Sequence, residues 1–440
     1  MASVYHRKIT ISAGEECTIT GGGAVELQLL SGVVEVAGVL LPAKQTCVFF
    51  LELETRCVVL YTLEGGSVQA TATVPFETMK AATGMAAVVQ LCRRTLAVER
   101  RTKVLVIGQA HSGKTLTAHT ICNLLREDAA GESATAPAAA VFLMDLNPES
   151  NCLYAPGCVS TVQVEHALWP GTTSAPTLLP FSLFVGEASR PSAATIVPFM
   201  YFVEQLQECT ETLLHAAAHH ERVHLVVDAP APVAGVKESV YFRRLIELVR
   251  PTHVVTVSAR DGSEPWSTFL QEDVQRVLPD CEFSYASPVV RRCAVSLREP
   301  RLREYFAGTP QFPLGCAKVV LPLAQLQFVQ YVTPGLAAEA ATTAASVVSC
   351  RKVAVTPALA GSICALSHAE MIEEVPLAPV AGLLLVVAVD EEHEELVAIV
   401  PACEDVPRRF VIVPNAVTAA EPSALSMTIT MAPIEEAVAV

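Results

Sequence analysis

The strongest chemical signal in the sequence is a run of eight residues that matches the phosphate-binding loop, or Walker A, pattern G-x4-G-K-[ST]. Glycine lets successive backbone N–H groups turn towards one anion, which a Cβ would prevent. The lysine adds a positive charge for the β- and γ-phosphates, and the threonine hydroxyl offers a ligand to Mg²⁺. All eight residues are therefore predicted to bind nucleotide phosphates: Gly108, Gln109, Ala110, His111, Ser112, Gly113, Lys114 and Thr115.

The residues around this loop are those that the motif requires. The apolar run Lys103–Ile107 precedes it and predicts a strand, and Thr115–Leu125 after it has the composition of a helix. The N-terminal N–H groups of such a helix favour a bound phosphate. An eight-residue match arises by chance in a chain of this length on the order of once in a hundred. With strand and helix both in place, a chance glycine-rich turn is the weaker explanation.

Two aspartates stand at the ends of predicted strands. Asp145 follows Val141-Phe-Leu-Met, and Asp228 follows residues 223–227. A carboxylate at this edge of a parallel sheet can hold Mg²⁺ or act as a base towards a hydroxyl. Asn147 and Pro148 favour a turn, so an aspartate that only starts a turn is the alternative for Asp145. We predict Asp145 as the catalytic carboxylate and, with Thr115, as a metal ligand; Asp228 is a second candidate.

Arginine is concentrated in one segment, where five residues fall within thirteen positions: Arg291, Arg292, Arg298, Arg301 and Arg303. In P-loop proteins that resemble small-molecule kinases, such a segment closes over the triphosphate and stabilises the transferring charge. We predict that Arg292 and Arg298 contact phosphate and act in catalysis with Lys114. Arg301 and Arg303 are predicted to lie on a solvated helix face.

The elements that would position these residues change in type along the chain. Short strand-like runs such as 25–30, 32–38, 47–53 and 57–62 predict an N-terminal β-sandwich, followed by a helix over 79–99. Strands then alternate with helices, which predicts a parallel sheet with helices on both faces. Strand-like runs return after 313. The sequence thus predicts an α/β protein with a β-sandwich (1–100), a P-loop domain (101–312) and a β-rich domain (313–440).

Composition limits the class of protein. Hydrophobic residues make up 51% of the chain and charged residues 17%, which predicts packed domains rather than disorder. The formal net charge of −15 repels nucleic acid on average, so RNA would need a local basic patch. The 14 cysteines include no C-x-x-C pair, which favours free thiols in a reducing compartment. No secretory signal or membrane span is predicted.

Several motifs together resemble the polyribonucleotide 5′-hydroxyl kinase family, which includes the ATP-binding subunit of the pre-mRNA cleavage and polyadenylation machinery. Besides the phosphate loop, Leu27-Gln-Leu-Leu-Ser-Gly-Val-Val-Glu-Val-Ala-Gly38 is similar to the family's N-terminal L-x-L-L-x-G-x-A-E-I-x-G. Arg301-Leu-Arg-Glu-Tyr-Phe-Ala-Gly308 is similar to R-I-R-E-Y-F-x-G, which follows the arginine lid. Residues 380–390 and 409–413 resemble the small C-terminal β domain of the family.

The resemblance implies a three-domain chain that binds ATP and Mg²⁺ between the central and N-terminal domains. It implies a nuclear role in mRNA 3′-end processing, with docking on a scaffold subunit of the cleavage factor and contacts with other processing proteins. Some family members transfer the γ-phosphate to an RNA 5′-hydroxyl, and others hold ATP without turnover. RNA contact is expected to be weak or indirect here.

Three family motifs are altered in this sequence. The second nucleotide motif, L-D-x-G-Q, reads Met144-Asp145-Leu146-Asn147-Pro148 and keeps only the aspartate. The T-x-G-W segment, whose tryptophan stacks on the substrate base, falls at Ala229-Pro230-Ala231-Pro232. The T-x-N clasp for the γ-phosphate falls at Ser192-Ala193-Ala194. The phosphate loop is thus complete while the residues that would hold RNA are not.

The sequence therefore predicts an ATP-binding subunit of a cleavage and polyadenylation complex with little or no turnover. An active polynucleotide 5′-hydroxyl kinase is the alternative, with Asp145 as the base. An unrelated P-loop ATPase or GTPase is more distant, because Val257-Ser-Ala-Arg-Asp261 lacks the N/T-K-x-D run with which GTPases read guanine.

Overall fold

The computed structural model of the chain describes residues 4–21, 23–51, 57–82, 84–128, 139–170, 180–186, 191–192, 195–233, 236–258, 265–286, 298–308, 313–332, 348–401, 409–415 and 435–436. The sequence also predicts a loop over Asp128–Ala139 and a linker or a helix over the Ala-rich stretch 336–347. Both segments lie almost wholly outside this set. Within the described residues, every cysteine is a free thiol. No helix among them is long and apolar enough to cross a bilayer.

The N-terminal part is the predicted β-sandwich. Its two antiparallel sheets have the orders β1-β8-β3-β6 and β5-β4-β7-β2-β9. Alternating side chains such as Val25 and Leu27 on one sheet, and Ile19 and Leu60 on the other, fill the core between them. The strands are β1 (Tyr5–Ile11), β2 (Glu15–Gly21), β3 (Gly23–Gly32), β4 (Glu35–Val36), β5 (Val39–Leu40), β6 (Thr46–Leu51), β7 (Cys57–Thr62), β8 (Gly66–Ala72) and β9 (Phe76–Ala82).

Two sequence predictions in this part are wrong. Residues 76–82 pair with β2 along their whole length, so the helix predicted over 79–99 is the shorter α1 (Met85–Arg94), followed by a 3-10 turn. The strand predicted over 32–38 is interrupted, because Ala37 (φ 49°) and Gly38 (φ 81°) form a two-residue turn between β4 and β5. Apolar spacing over so few residues does not distinguish a strand from a helix or from a hairpin.

The central part is a seven-stranded sheet of order β13-β12-β11-β14-β10-β15-β16. The five strands β11, β14, β10, β15 and β16 are parallel, as predicted for the first four. The sequence analysis missed β16 and, at the other edge, the antiparallel pair β12 and β13. The strands are β10 (Arg101–Gly108), β11 (Ala140–Asp145), β12 (Cys158–Gln163), β13 (Phe181–Phe184), β14 (Val223–Asp228), β15 (His253–Val257) and β16 (Glu282–Ala286).

Helices cover both faces of this sheet. α1 and α2 share one hydrophobic core with the sheet, and α3, α4, α5 and α6 share the other. This second core continues into the C-terminal sheet through residues such as Val329 and Leu383. The helices after α1 are α2 (Lys114–Asp128), α3 (Ile196–Ala216), α4 (Glu238–Val249), α5 (Pro265–Val277) and α6 (Arg298–Ala307).

The C-terminal part is an eight-stranded mixed sheet of order β19-β18-β23-β20-β21-β22-β17-β24. A second hydrophobic cluster covers its other face. The α/β fold class with β-rich parts on either side is therefore confirmed, while the domain boundaries near 100 and 312 stay predictions. The strands are β17 (Cys316–Pro322), β18 (Gln327–Val332), β19 (Ser349–Lys352), β20 (Ile363–Ser367), β21 (Val380–Asp390), β22 (Glu395–Pro401), β23 (Phe410–Ile412) and β24 (Glu435–Glu436).

The sandwich is held directly against the helix that follows the phosphate loop. Asn123 on α2 donates to the carbonyl of Ala37 (2.7 Å) and exchanges hydrogen bonds with the backbone of Leu168. A Cβ on Gly38 would lie 2.8 Å from the carbonyl oxygen of Thr120, so only glycine permits this approach. The β4–β5 turn and the segment after β12 therefore fix the position of α2 on its outer side.

Candidate nucleotide-phosphate site

The phosphate loop lies at the carboxyl end of β10, between that strand and the first residue of α2. Its backbone has the torsion angles for which glycine is needed, with φ of 154° at Gly108 and 96° at Gly113. A Cβ on Gly108 would lie 2.5 Å from the carbonyl oxygen of Val257 on β15. The close approach of β15 therefore requires glycine at the start of the loop, independently of any ligand.

One loop residue other than glycine is also left-handed. His111 has φ of 59°, which costs a residue with a Cβ roughly 1–2 kcal/mol. Such strain persists where the surrounding structure holds it, and it is concentrated at functional sites. Left-handed and right-handed residues in succession turn backbone N–H groups to one side, which is the geometry of an anion nest. The loop has the backbone shape that the motif predicts.

Two polar side chains of the loop are buried. Lys114 is only 7% exposed, and its ammonium group folds back to donate to the carbonyl of Gln109 at 2.7 Å. The Ser112 hydroxyl is buried and has no hydrogen-bond partner among the described residues. A buried polar group without a partner costs about 1–3 kcal/mol. An anion inside the loop would give the Ser112 hydroxyl a partner and would accept from the Lys114 ammonium group, which has three N–H donors.

Thr115, the last loop residue, contacts Asp228 rather than Asp145. Its hydroxyl donates a 2.6 Å hydrogen bond to Oδ2 of Asp228. Asp228 ends β14, which lies beside β10, and its carboxyl is 1% exposed. The other oxygen, Oδ1, is buried without a hydrogen-bond partner among the described residues. Asp228 therefore has one oxygen available next to the threonine that is the predicted metal ligand.

Asp145 lies next to Asp228 but uses its oxygens differently. The two residues are register partners on the neighbouring parallel strands β11 and β14, so both carboxyls project from the same edge of the sheet. Oδ1 of Asp145 accepts the N–H of Asn147 (2.9 Å), and Oδ2 accepts the N–H of Cys152 (2.7 Å). Asp145 thus starts a turn, which is the alternative that the sequence left open for this residue. Its roles in catalysis and metal binding stay predictions.

The electrostatics of this carboxyl pair favour a proton or a cation. Burial, with the charge of Asp145 added, raises the pKa of Asp228 to about 7, against the opposing effects of Lys114 and the Thr115 hydrogen bond. Burial likewise raises the pKa of Asp145, against the two backbone N–H groups and the charge of Arg301. Two buried carboxyls side by side are costly to ionise together, and a divalent cation would remove that cost.

Cys152, whose N–H is bonded to Asp145, also contacts His119, and the sequence analysis missed both residues. Nε2 of His119 lies 3.3 Å from Sγ of Cys152. Burial, with the charge of Arg301 added, lowers the pKa of His119 to about 4, so this histidine is neutral at physiological pH. His119 stands four residues after Thr115 on α2, and that helical spacing is the sequence signal that places both side chains on one face.

The arginines of the segment 291–303 do not lie where the sequence analysis predicts. Arg298 begins α6 and is exposed, and Arg292, like Arg291, lies outside the described residues. Arg301, predicted to be solvated, is half-buried, forms a 3.0 Å ion pair with Glu304, and acts electrostatically on Asp145 and His119. Arg303 is half-buried too. The prediction of a solvated face is wrong because Leu302 and Phe306 anchor α6 in the core shared with the C-terminal sheet.

The positions that correspond to the family's substrate motifs carry small side chains. Ala229 and Ala231, after β14, are buried, and the N–H of Ala229 is bonded to the carbonyl of Val106. Ser192 is hydrogen-bonded to Thr195, while Ala193 and Ala194 lie outside the described residues. Within the described residues, no group of three or more His, Cys, Asp and Glu side chains has the geometry of a metal centre.

Comparisons with known proteins agree with this arrangement. A family model described as mRNA cleavage and polyadenylation factor CLP1 P-loop matches residues 108–308. The solved structure of wild-type Clp1p in complex with a fragment of Pcf11p matches with a TM-score of 0.71 and 18% identity, over 94% of this chain and 98% of that one. A structure of Clp1p with an extended Pcf11p interface, concerned with ATP loss in a point mutant, gives a TM-score of 0.73 at the same identity and coverage. A comparison with curated proteins found no match.

The family match begins at Gly108, the first loop residue, and ends at Gly308, directly after α6. It therefore contains Lys114, both aspartates and Arg301. At 18% identity the solved structures establish the fold alone, but they do so over nearly the whole chain. The resemblance predicted from the motifs is confirmed. Residues 108–308 match the CLP1 P-loop family model, and the chain as a whole has the fold of the Clp1p structures.

Proposed function

We propose that this chain binds ATP with Mg²⁺ and holds it with little turnover as a subunit of a nuclear mRNA 3′-end processing complex. The observation that carries nucleotide binding is the buried Ser112 hydroxyl, which has no partner among the described residues and lies in the same loop as the buried ammonium group of Lys114. A ligand with several negative oxygens fits these groups and the N–H groups of the glycine-containing turn.

The same geometry supports a place for Mg²⁺. Oxygen ligands suit this hard cation, which keeps several of its waters. The Thr115 hydroxyl and the unpaired Oδ1 of Asp228 are the two groups best placed to hold it. Asp145 would act on the water around the ion, since its own oxygens accept backbone N–H groups. Bound Mg²⁺ supplies positive charge at the β- and γ-phosphates.

The assembly proposal rests on the Clp1p structures. Both solved structures hold Clp1p together with Pcf11p, and they match 94% of this chain. We infer that the chain docks on a scaffold subunit of the same kind and acts beside other 3′-end processing proteins in the nucleus. One of the two structures addresses the structural basis of ATP loss in a Clp1p point mutant, which supports ATP as the nucleotide bound here. RNA contact is proposed to be weak or indirect.

An active polynucleotide 5′-hydroxyl kinase is the second candidate. The complete phosphate loop and the two strand-end carboxylates favour it, with Lys114, Arg292 and Arg298 stabilising charge and Asp145 or Asp228 as the base. The structure adds Arg301 to this set, because its charge acts on Asp145. The altered substrate motifs argue for the first candidate.

Nucleotide content and affinity test the proposal. Protein purified without added nucleotide is denatured, and the released nucleotide is identified by chromatography; ATP at near-stoichiometric amounts is expected. In calorimetric titrations of stripped protein, Lys114→Ala should weaken ATP–Mg²⁺ binding about ten- to 100-fold, the size of a charge-assisted hydrogen bond.

Lys103→Ala is the matched control for that titration. Lys103 lies at the other end of β10 and pairs with Glu211, so its loss should leave the affinity unchanged. Equal affinities for wild type and Lys114→Ala would refute nucleotide binding at this loop.

A further inference from the structure

Tyr305 joins the segment after Asp145 to the C-terminal sheet. It lies on α6, one helical turn after Arg301. Its ring packs edge-on against Tyr154, with ring centroids 5.6 Å apart and an interplanar angle of 63°. Its hydroxyl accepts the backbone N–H of Leu383, on β21, at 2.8 Å. One side chain therefore contacts both the central part and the C-terminal part of the chain.

On the nucleotide side, Tyr154 belongs to a segment that is fixed to Asp145. The N–H of Cys152 is bonded to Oδ2 of Asp145 at 2.7 Å. Asn151 accepts the N–H of Tyr154 at 2.8 Å and donates to the carbonyl of Cys158 at 3.0 Å. Residues 151–158 therefore form one hydrogen-bonded unit between the carboxylate and the ring of Tyr154.

On the other side, Leu383 lies just before the part of β21 that pairs with β22. β22 pairs with β21 from Leu385 to Asp390, so Leu383 lies beyond the end of that ladder. On its other edge Leu383 faces Ala365 of β20. Because a buried N–H needs an acceptor, the Tyr305 hydroxyl takes the position that a neighbouring strand would fill. Leu383 is 1% exposed, so water does not replace this contact without local opening.

We propose that Tyr305 is a positioning residue through which the C-terminal sheet holds the Asp145 segment in place for nucleotide binding. The connection runs from Asp145 through Tyr154 to Tyr305 and ends at the backbone of Leu383. Coupling is reciprocal, so a nucleotide held at the loop steadies the Tyr305–Leu383 contact in turn. The inference rests on the proposed nucleotide binding and adds that the C-terminal sheet responds to it.

Tyr305→Phe tests the coupling in the full-length chain, because it keeps the ring and removes only the hydroxyl. The Tyr305 hydroxyl also hydrogen-bonds with Tyr154, so we expect ATP–Mg²⁺ affinity, measured by calorimetry, to fall about three- to tenfold, an effect in the range of a neutral hydrogen bond. Tyr285→Phe is the matched control: Tyr285 lies on β16 of the central sheet and donates one hydrogen bond to Gln271 on α5. Its affinity should equal that of wild type.

Hydrogen exchange of the Leu383 amide gives a readout that a merely structural role would not change. In wild type, ATP–Mg²⁺ should slow exchange at Leu383, and in Tyr305→Phe this effect of the nucleotide should be absent. Wild-type protein that binds ATP while exchange at Leu383 stays the same would overturn the inference, and so would equal ATP affinity of Tyr305→Phe and wild type. Failure of wild type to bind ATP at all would overturn the proposed function as well. The exchange experiment on wild type tests the inference even if Tyr305→Phe folds poorly.

Discussion

The Thr115 hydroxyl and Oδ2 of Asp228 are 2.6 Å apart, which joins the first turn of α2 to the end of β14. Asp145, on the next strand, is bonded instead to the backbone of its own loop. The two aspartates end adjacent parallel strands, and their sequence contexts are alike. Their hydrogen bonds distinguish a carboxylate that faces the phosphate loop from one that shapes a turn.

We expect Asp228→Asn to remove most of the gain in ATP affinity that Mg²⁺ provides, because the variant loses the charged oxygen next to Thr115. Asp145→Ala should instead lower the free energy of unfolding by about 1–3 kcal/mol, since two backbone N–H groups lose their acceptor. Calorimetric titration with and without Mg²⁺, and urea unfolding, measure the two effects. If Asp145→Ala abolishes the Mg²⁺ effect while Asp228→Asn keeps it, the metal lies at Asp145.

His224 predicts a pH dependence of stability. Burial, with the charge of Arg222 added, lowers its pKa to about 4, while Nδ1 is hydrogen-bonded to Thr102 at 2.7 Å. A histidine whose pKa is depressed on folding binds its proton more readily in the unfolded chain. The stabilising contribution of neutral His224 to the free energy of unfolding is therefore complete above the unfolded pKa near 6.5. It is lost as the pH falls towards 4, because the unfolded chain takes up the proton first.

The matching variant for this prediction is His224→Gln, which cannot titrate. Between pH 6.5 and 4 the stability of wild type should fall relative to the variant by up to about 1.4 kcal/mol per pH unit. Urea unfolding at a series of pH values gives the difference, in which the other titrating groups cancel. Identical pH slopes for the two proteins would contradict the prediction.

Binding to bare RNA is expected to be weak and to depend strongly on salt. The net charge of −15 opposes association, and no aromatic residue stands at 229–232, where the family places its base-stacking tryptophan. Stacking is worth about 1–3 kcal/mol per base, so its absence weakens binding by about one to two orders of magnitude. Fluorescence anisotropy with a short single strand should give a dissociation constant above about 1 µM at physiological salt. Submicromolar binding would contradict this.

Transfer of phosphate from ATP to a 5′-hydroxyl RNA oligonucleotide is expected to be undetectable under conditions where an active polynucleotide kinase turns over readily. Phosphoryl transfer depends on positioning and charge stabilisation, and the clasp and acceptor positions hold Ala193, Ala194 and Pro232. Each missing transition-state donor costs about 10²–10³ in rate. A radiolabelled 5′-phosphate product that disappears in Asp145→Ala would show instead that the chain is an enzyme.

Much of the fold could be predicted because local patterns specify local backbone. The apolar run 103–107, a complete phosphate loop and a following helix are encoded within about 25 residues, and all three are present in the structure. The alternation of strands and helices also predicted four of the five parallel strands correctly. Prediction failed where the same spacing fits two structures, as at residues 79–82, which pair with β2 instead of extending α1.

The sequence by itself determined that a phosphate loop with Lys114 and Thr115 stands between a buried strand and a helix, because glycine spacing and apolar runs act over neighbouring residues. Only the tertiary structure decided which carboxylate faces that loop. The strand order places β14 directly beside β10 and β11 one position further away, so Thr115 meets Asp228. The packing of α6 decided in the same way that Arg301 acts on Asp145 while Arg298 faces solvent. These contacts join residues more than 100 positions apart, and no local pattern encodes the free energy of such packing.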